Sequence, residues 1–373
     1  MIEPGKTIGI LGGGQLGRMM AISAREMGYR IAVLEPKSGS PCGQIADHEV
    51  ITAYDDMEGA KQLAEISDVI TYEFENVDLR TAEWLETNAN LPSGSRLLQN
   101  TQDREFEKKA IVASGCEVAK FAIIHDADDL REALKEIGFP SVIKTCRGGY
   151  DGKGQIVLRG EEDVEEALNA FVGKQKAILE QWVPFEKELS VIVTRSTTGE
   201  VKTFPVAENI HRDNILHQTI VPARISREID RKATEVALKL AKSFELVGTL
   251  AVEMFLTKDG EIFVNEMAPR PHNSGHFTID ACETSQFQQH IRAICGWPLG
   301  ETTLLKPAVM VNILGEDLQK SIDAIPKYHD VKYHLYGKDA PKPKRKMGHV
   351  TVLGDTIEKA LEKADQLQFG TEA

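Results

Sequence analysis

Cysteine, long apolar runs and excess positive charge are all scarce in this chain of 373 residues. Its five cysteines form no C-x-x-C pair, which argues against a zinc site or a disulfide framework, and their odd number fits a reducing compartment. No apolar run approaches the roughly 20 residues that span a bilayer, and the N-terminal residues lack the pattern of a signal peptide. These absences predict a cytoplasmic protein without a membrane partner.

The charge balance argues against another class of partner. Lysine and arginine number 44 against 57 aspartates and glutamates, which gives a net charge of −13. A chain this acidic binds nucleic acid and anionic membranes poorly, so any anionic ligand must meet a local cluster of positive charge. The hydrophobic fraction of 42% and the charged fraction of 27% are ordinary for a globular protein, and the length predicts about two to three domains.

Strand and helix patterns alternate over the first hundred residues. The apolar run Thr7–Leu11 leads into three glycines and then a helical pattern, while 30–34 and 68–72 predict two further strands. This alternation indicates a small doubly wound α/β unit with a mostly parallel sheet.

The pattern changes near residue 100, where a helix is predicted to begin and to continue to about residue 115. Strands over 141–146 and 155–158 flank a glycine-rich loop in a smaller α+β region. A longer helix is predicted over 229–244. The capping box Asp355-x-x-Glu358 predicts the start of a final helix.

The first glycine motif, Gly12-x-Gly14-x-x-Gly17, follows a strand and opens a helix, and Glu35 ends the next strand. This spacing and context match the fingerprint of a dinucleotide-binding fold. Two alternatives stay open. The glycine amides and the helix N-terminus could hold another anion or small ligand, or the turn could need glycine for its geometry alone.

The second glycine motif, 147–154, lies between two strands and is therefore not a Walker phosphate loop, which opens a helix. A glycine-rich hairpin can fold over nucleotide phosphates as a lid, with Lys144 on the preceding strand within reach of phosphate oxygens. The alternative is a flexible surface hairpin with a solvated lysine. A purely structural turn, however, does not need Tyr150 and Asp151.

Two glutamates are predicted to face each other across a hairpin. Asp259-Gly260 is a strong signal for a two-residue turn, which would place Glu253 directly opposite Glu266. Opposed like charges destabilise a sheet, here by roughly 3 kcal/mol at ~5 Å and an effective dielectric constant of about 20. A divalent cation between the carboxylates would reverse that repulsion; a shared proton or a basic neighbour is the alternative. A one-residue bulge in the hairpin would break the pairing. The predicted neighbours on the same face are Ala251, Phe255, Val264 and Ala268.

Five motifs occur in order along the chain. They are Gly12-Gly13-Gly14-Gln15-Leu16-Gly17-Arg18-Met19, Tyr72-Glu73-Phe74-Glu75-Asn76, the segments 148–155 and 265–276, and Arg345-Lys346-Met347-Gly348-His349. With Lys144 and Glu253, they resemble the ATP-grasp superfamily of ligases and, within it, the N5-carboxyaminoimidazole ribonucleotide synthetases of purine biosynthesis. The resemblance covers essentially the whole chain.

The resemblance implies an ATP-grasp architecture of three parts. These are an N-terminal Rossmann-like domain over 1–100, an ATP-grasp domain over 101–298 with a lid subdomain at about 116–185, and a small β-rich domain over 299–373. The implied enzyme is a carbon–nitrogen ligase. It carboxylates the exocyclic amine of 5-aminoimidazole ribonucleotide with ATP and bicarbonate, through carboxyphosphate. Mg²⁺ or Mn²⁺ is the implied metal, a homodimer is the implied assembly, and no NAD or flavin is expected.

The resemblance also implies roles for individual residues. The nucleotide contacts are Arg104, Lys144, Gly149, Tyr150, Asp151, Gly152, Lys153, Gly154, Gln155, Glu180, Gln181, Trp182, Val183, Glu188, His211, Asn265 and Glu266. The substrate contacts are Gln15, Leu16, Glu73, Asn76, His272, Asn273, Ser274, Lys338, Arg345 and Lys346. Mg²⁺ would lie between Glu253 and Glu266. The catalytic candidates are Lys144, Arg270 as a bicarbonate ligand, and Asp151 as a proton-transfer group positioned by Tyr150.

Three other functions stay open. An NAD(P)-dependent oxidoreductase would use the first glycine motif with Glu35, but it leaves the glutamate pair and the second glycine loop unexplained. Another ATP-grasp ligase, such as a glycinamide ribonucleotide transformylase or a biotin carboxylase, would not need the motifs around His272 and Arg345. A nucleotide-sensing module without catalysis would not need every charged residue that the family uses.

Overall fold

A computed structural model describes residues 1–149, 153–171 and 173–370. The helices are α1 (Gln15–Glu26), α2 (Met57–Glu65), α3 (Leu79–Asn88), α4 (Arg96–Thr101), α5 (Arg104–Ala113), α6 (Ala127–Ile137), α7 (Val164–Phe171), α8 (Arg227–Ser243), α9 (Thr278–Ala281), α10 (Gln286–Cys295), α11 (Leu318–Ala324) and α12 (Ile357–Gln366). None of the helices in these ranges is both long enough and apolar enough to cross a membrane.

The strands belong to three sheets. They are β1 (Thr7–Leu11), β2 (Arg30–Leu34), β3 (His48–Val50), β4 (Val69–Tyr72), β5 (Phe121–Ile124), β6 (Ser141–Thr145), β7 (Gln155–Leu158), β8 (Ala177–Gln181), β9 (Phe185–Arg195), β10 (Val201–Thr203), β11 (Ala207–Arg212), β12 (Ile215–Val221), β13 (Gly248–Thr257), β14 (Ile262–Ala268), β15 (Ala308–Leu314), β16 (Val331–Leu335) and β17 (Lys346–Leu353).

The first sheet is parallel and has the order β3-β2-β1-β4, as the alternating pattern predicts. Leu11 is in register with both Leu34 and Tyr72, so the carboxyl ends of β1, β2 and β4 are level. Parallel sheets bind ligands at this edge because the loops that follow the strands gather there. The register therefore brings the glycine motif beside Glu35 and Glu73.

The second sheet is antiparallel and runs β14-β13-β9-β11-β12-β15-β17-β16, with β10 added beside β9. Strand β12 pairs with β15 in four residue pairs, from Gln218 with Val311 to Val221 with Ala308, so one sheet continues across the predicted boundary at residue 299. The third sheet, β5-β8-β6-β7, is antiparallel and carries the second glycine loop between β6 and β7.

The core around the first sheet is completed by residues from far along the chain. Ile8, Met20 and Ile31 from the first unit cluster with residues of α10 and with Tyr336. The α10 residues are Phe287, Ile291, Ile294 and Cys295, each at most 2% exposed. Helix α10 therefore packs against α1 as part of the same apolar core.

Two details of the secondary structure differ from the prediction. The helix predicted over 100–115 is two helices, α4 and α5, because the side chain of Asp103 caps α5 by accepting a hydrogen bond from the Glu105 amide. The predicted capping box at Asp355 is wrong, since Thr356 is the N-cap of α12 and accepts from the Lys359 amide. In both places a capping side chain sets the first residue of the helix, which apolar spacing alone does not define.

A buried histidine, His290 on α10, joins the first sheet to the second. Its Nε2 lies 2.8 Å from Thr71 Oγ1 on β4, and its Nδ1 accepts from the Thr249 amide on β13 at 3.1 Å. With Nδ1 as acceptor the ring is neutral and donates through Nε2. Burial lowers the pKa of His290 to about 4 from its ordinary 6.5.

The His290 contact predicts a defined loss of stability in acid. His290 binds a proton less readily in the folded protein than in the unfolded chain. Its contribution to the free energy of unfolding is therefore present above about pH 6.5 and is lost as the pH falls toward about pH 4. The variant His290→Gln can keep both hydrogen bonds. Between about pH 7 and pH 4.5, we expect its free energy of unfolding to fall by about 2–3 kcal/mol less than that of the parent. Urea unfolding at the two pH values measures this. The exposed His48→Gln variant is the control, and equal losses for parent and His290→Gln would contradict the assignment.

Candidate active site

A cavity of about 490 Å³, the larger of the two described below, lies where the second and third sheets meet. Many of the residues predicted to bind nucleotide, metal and substrate line it together. They are Asn76, Arg104, Lys144, Gly149, Lys153, Gln155, Glu180, Gln181, Trp182, Val183, Glu188, His211, Glu253, Asn265, Glu266, Arg270, His272, Asn273 and Lys346. The fold thus collects residues from most of the chain around one space.

The predicted glutamate pair is confirmed, but the turn that sets it is different. Glu253 on β13 is directly opposite Glu266 on β14. The turn has three residues, since the Thr257 amide donates to the Glu261 carbonyl at 3.0 Å and Gly260 adopts a left-handed φ of +79°. This register alone would place Asn265 opposite Glu253.

A β-bulge at Asn265 restores the pairing. Met254 pairs with Val264, whereas Glu253 pairs with Glu266, so Asn265 is the extra residue on β14. Val264 consequently packs in the core with Met254 and is not a neighbour of the glutamates, contrary to the prediction. The longer turn and the bulge compensate for each other.

The two carboxyl groups differ in their affinity for a proton. Burial, and then repulsion from Glu266, raise the pKa of Glu253 well above its usual value. Burial also disfavours the charge on Glu266, but Arg104 and a hydrogen bond with Glu253 lower its pKa to about 2. The Arg104 guanidinium lies 3.3 Å from Glu266 Oε2. In the absence of a cation, the pair therefore keeps a proton on Glu253.

The oxygen ligands around this pair fit a divalent cation. Asn265 Oδ1 is buried and, within the described part of the chain, has no hydrogen-bond partner. It lies on the residue next to Glu266, so two carboxylates and one amide oxygen belong to the same stretch of hairpin. Mg²⁺ takes oxygen ligands of this kind, completing its shell with water and phosphate oxygens.

A cluster of buried charges lies beside the pair. Lys144 Nζ is 3.1 Å from Glu180 Oε2, and Lys108 Nζ lies 3.5 Å from the same oxygen. Burial would raise the pKa of Glu180, but Lys108 and Lys144 lower it to about 2. Burial in turn lowers the pKa of Lys144. Two ammonium groups therefore share one carboxylate, so the cluster holds excess positive charge that suits phosphate.

The outer wall of the cavity combines an aromatic surface with a polar pair. Phe185 and Phe255 stack with their ring centres 4.7 Å apart, and Trp182 is 40% exposed nearby. His211 Nδ1 lies 3.1 Å from Glu188 Oε2. Aromatic faces next to hydrogen-bonding groups suit a base and a ribose.

Arg270 and His272 lie on the side that faces the first sheet. Arg270 Nε donates to Glu75 Oε2 at 2.5 Å. His272 Nδ1 lies 2.9 Å from Ser274 Oγ, and Nε2 is 3.6 Å from Glu253 Oε1. Burial lowers the pKa of His272 to about 3, with Arg270 adding to the effect. A neutral imidazole therefore faces the glutamate pair.

The first glycine motif is occupied by an internal carboxylate. Glu73 accepts from the Gly14 amide and, at 2.6 Å, from the Gly17 amide. A Cβ on Gly12 would lie 2.4 Å from Glu73 Cγ, which explains the need for glycine there. Glu35 is the acidic residue of the dinucleotide fingerprint. Its carboxylate accepts hydrogen bonds from the Gly13 amide and from the Tyr54 hydroxyl. The donors that would hold a pyrophosphate are thus already used.

The second cavity, of about 340 Å³, lies beside that motif. Gln15 and Glu73 line one side, and Lys338 and Arg345 line the other. Burial, and then Arg345, lower the pKa of Lys338 to about 8. Lys346, which follows Arg345 in the chain, lines the larger cavity instead. One basic loop therefore supplies cations to both cavities.

Some predicted site residues lie elsewhere. Leu16, Gly154 and Ser274 line neither of these two cavities; Leu16 and Ser274 are buried, and Ser274 Oγ accepts from Ser190 Oγ at 2.9 Å. Tyr150, Asp151 and Gly152 lie outside the described residues. The roles assigned to these six residues stay predictions, as do the roles of the residues that line the two cavities.

Other residues of the larger cavity had no predicted role in binding or catalysis. Glu75, Glu107 and the stacked Phe185 and Phe255 all line it. Glu75 could have been noticed, because it stands two residues after Glu73 within a quoted motif. Glu107 gave no signal, since it lies in a polar stretch of α5 that is typical of an exposed helix.

Three family models match the chain in order: the ribonucleotide synthetase preATP-grasp domain over residues 5–102, the ATP-grasp domain over 109–287, and the phosphoribosylaminoimidazole carboxylase C-terminal domain over 308–363. Together they span all three sheets.

Individual relatives agree with these models. An N5-carboxyaminoimidazole ribonucleotide synthase from Bacillus subtilis is 57% identical over 354 residues, which cover 95% of this chain and 93% of the relative. The crystal structure of an ADP complex of an N5-carboxyaminoimidazole ribonucleotide synthetase is 60% identical, with a TM-score of 0.97 and coverage of 99% and 97%. An Aspergillus clavatus synthase in complex with ADP and 5-aminoimidazole ribonucleotide is 33% identical, with a TM-score of 0.91 over 98% of both chains.

Proposed function

Because this chain belongs to the N5-carboxyaminoimidazole ribonucleotide synthases of the ATP-grasp superfamily, we propose that it carboxylates 5-aminoimidazole ribonucleotide. The enzyme is an ATP-dependent carbon–nitrogen ligase. It uses bicarbonate as the carbon source and releases ADP and phosphate with N5-carboxyaminoimidazole ribonucleotide. An NAD(P)-dependent oxidoreductase is disfavoured because Glu73 already binds the amides of the first glycine motif.

The observation that carries the proposal is the direct opposition of Glu253 and Glu266 beside a shared cluster of Lys108, Lys144 and Glu180. Opposed carboxylates are costly unless a cation or a proton lies between them. Excess ammonium groups next to them supply the complementary site for phosphates. Together they form a place where a nucleoside triphosphate and a divalent cation bind side by side.

We assign the larger cavity to ATP. Trp182, Phe185 and Phe255 face the adenine, Glu188 and His211 face the ribose, and Lys144 faces the phosphates. Glu253 and Glu266, with Asn265 Oδ1, hold Mg²⁺. When bound, the metal neutralises phosphate charge and fixes the orientation of the triphosphate.

The residues of this chain then have distinct tasks in the reaction. Arg270, already fixed by Glu75, holds bicarbonate so that its oxygen attacks the γ-phosphorus and ADP leaves. Lys144 and the glycine lid stabilise the charge that develops on the phosphoryl oxygens. The product is carboxyphosphate. Its carbon, or the CO₂ it releases within the closed site, is attacked by the exocyclic amine, and phosphate leaves.

A closed cavity matters because water would destroy carboxyphosphate. The amine loses one proton when its nitrogen becomes a carbamate nitrogen. We assign acceptance of that proton to Asp151, with Tyr150 positioning it. His272, held neutral by burial, donates through Nε2 and contacts the substrate with Asn273 and Asn76.

We assign the second cavity to the ribonucleotide phosphate. Lys338 and Arg345 bind the 5′-phosphate, with Lys346 between the two ligands, while Gln15 and Glu73 contact the nucleoside. In this assignment the domains over 1–100, 101–298 and 299–373 each contribute to one composite site. A homodimer is the proposed assembly.

The test measures ADP release with Mg²⁺ and bicarbonate, with and without 5-aminoimidazole ribonucleotide, and follows labelled bicarbonate into the product. We expect the ribonucleotide to stimulate ADP release strongly, with one label incorporated per ADP. ADP release without labelled product would point to another acceptor. The absence of any ATP turnover would overturn the ligase assignment.

A further inference from the structure

The bulge at Asn265 decides which side chain faces Glu253. If β14 paired regularly, without a bulge, the register next to the turn would continue and place Asn265 opposite Glu253. Glu266 would then stand opposite Val252, on the face that packs in the apolar core. Side chains alternate between the two faces of a strand, so a shift of one residue exchanges the faces. The metal pair therefore depends on this single irregularity.

Strand β14 is at the edge of its sheet, so none of the described strands pairs with its outer side. An edge position leaves a bulge free to slip where its outward amides and carbonyls lack partners. The Val264 amide, directly before the bulge, donates to the Glu117 carbonyl at 2.8 Å. Here two successive residues of α5 supply partners on that side. Lys108 Nζ donates to the Asn265 carbonyl at 2.7 Å, and Glu107 Oε1 accepts from the Met267 amide at 2.6 Å.

These two contacts flank Glu266 directly, on the residue before it and the residue after it. Lys108 is 1% exposed and Glu107 is 2% exposed. Burying an ammonium and a carboxylate costs several kcal/mol each unless each has partners. Lys108 has a second partner, Glu180 Oε2 at 3.5 Å, which ties the bulge to the phosphate side of the cavity.

We propose that Glu107 and Lys108 are positioning residues that hold the β14 bulge and so set Glu266 opposite Glu253 for binding a divalent cation. The inference rests on the metal role that the proposed function gives to this pair. Glu107 is assigned no contact with substrate or metal, whereas Lys108 also belongs to the charge cluster on the phosphate side of the cavity. Their effect passes through the backbone of Asn265 and Met267.

The test compares Glu107→Met, Glu107→Gln and Lys108→Met, with Lys109→Met as control. Lys109 is the next residue on α5, but its side chain is 60% exposed. Mn²⁺ binding is followed by electron paramagnetic resonance in the presence of a non-hydrolysable ATP analogue. Removing residues that orient metal ligands typically weakens metal affinity about 10- to 100-fold. We expect a loss of that size for Glu107→Met and Lys108→Met.

Glu107→Gln keeps an acceptor for the Met267 amide, so its Mn²⁺ affinity should stay within about threefold of the parent, as should that of Lys109→Met. ADP binding in the presence of a metal chelator should also stay within about threefold for both Glu107 variants and for Lys109→Met. A merely structural role would lower the unfolding temperature without changing the Mn²⁺ dissociation constant of the folded protein. That result would overturn the proposal, as would equal losses in Glu107→Gln and Glu107→Met.

If Lys108→Met does not fold, the two Glu107 variants decide the question, because the change to methionine removes one hydrogen bond at nearly constant volume. The Mn²⁺ measurement needs neither bicarbonate nor the ribonucleotide. A parent enzyme that fails to carboxylate the ribonucleotide, while its variants show the expected metal affinities, would therefore overturn the proposed function and leave this inference standing.

Discussion

Replacing Glu266 with glutamine should lower the rate of ADP formation by about 10³-fold or more, because the substitution removes the carboxylate that pairs with Glu253 and contacts Arg104. The amide cannot supply the same charge to a divalent cation. Steady-state rates at saturating ATP and ribonucleotide, over a range of Mg²⁺ concentrations, measure the loss. Glu261→Gln is the matched control, since this residue lies on the same hairpin and is exposed.

Glu253→Gln separates the metal role from a role in folding. The pKa of Glu253 is raised by burial and by Glu266, so the folded state without metal favours the proton. The contribution of Glu253 to stability is therefore fully present below the pKa that this group has in the unfolded chain. It is lost as the pH rises toward the pKa of the group in the folded state. At about pH 8 in the presence of a chelator, we expect Glu253→Gln to unfold at a higher temperature than the parent. Added Mg²⁺ with ATP analogue should stabilise the parent but not the variant. Stabilisation of the variant, but not of the parent, by Mg²⁺ with the ATP analogue would contradict a cation between the pair.

The second large effect is expected at the basic loop. Charge-assisted hydrogen bonds to a phosphate are worth about 1.5–3 kcal/mol each, so Arg345→Met and Lys338→Met should each raise the KM for 5-aminoimidazole ribonucleotide about 10- to 100-fold. The KM for ATP should stay unchanged, because neither side chain lines the larger cavity.

Lys342→Met controls for general loss of charge, since Lys342 is an exposed lysine of the same loop. A rise in the KM for the ribonucleotide equal to that of Arg345→Met would mean that the loop acts through its overall field. Unchanged KM values in all three variants would place the substrate phosphate elsewhere.

The sequence predicts the local elements near the site well, because their signals are local. The strand β7 has the predicted bounds, and β1 follows its apolar run. Helix α8 begins two residues earlier than predicted because Ser226 caps it. The doubly wound unit follows from the same alternation of patterns. These features depend on residues a few positions apart, which a sequence displays directly.

The glutamate pair shows where such reasoning reaches its limit. The predicted opposition of Glu253 and Glu266 is confirmed, although the two-residue turn is wrong and the bulge at Asn265 restores the pairing, whereas a bulge was expected to break it. A bulge depends on partners outside the hairpin, here Glu107 and Lys108, which are more than 150 residues away in sequence. No pattern within the hairpin could reveal them.

Glu73 illustrates the same limit at the first glycine motif. Its spacing from Gly14 is 59 residues, so only the level ends of β1 and β4 bring its carboxylate to the helix amides. The motif alone matches a dinucleotide site equally well. The two functions are distinguished by the contact of Glu73 with the Gly14 amide, which forms only in the folded chain. The sequence shows the two residues but not their contact.

The contribution of α10 to the core of the first sheet has a consequence for synthesis of the protein. The strands of that sheet emerge from the ribosome roughly 200 residues before α10, which at about 5–20 residues per second is a delay of about 10–40 s. Throughout that time Ile8, Met20 and Ile31 lack the cover that Phe287, Ile291 and Ile294 later provide. The nascent chain therefore carries an incomplete apolar face for most of its translation, and a chaperone that shields such faces is expected to raise the yield of native enzyme.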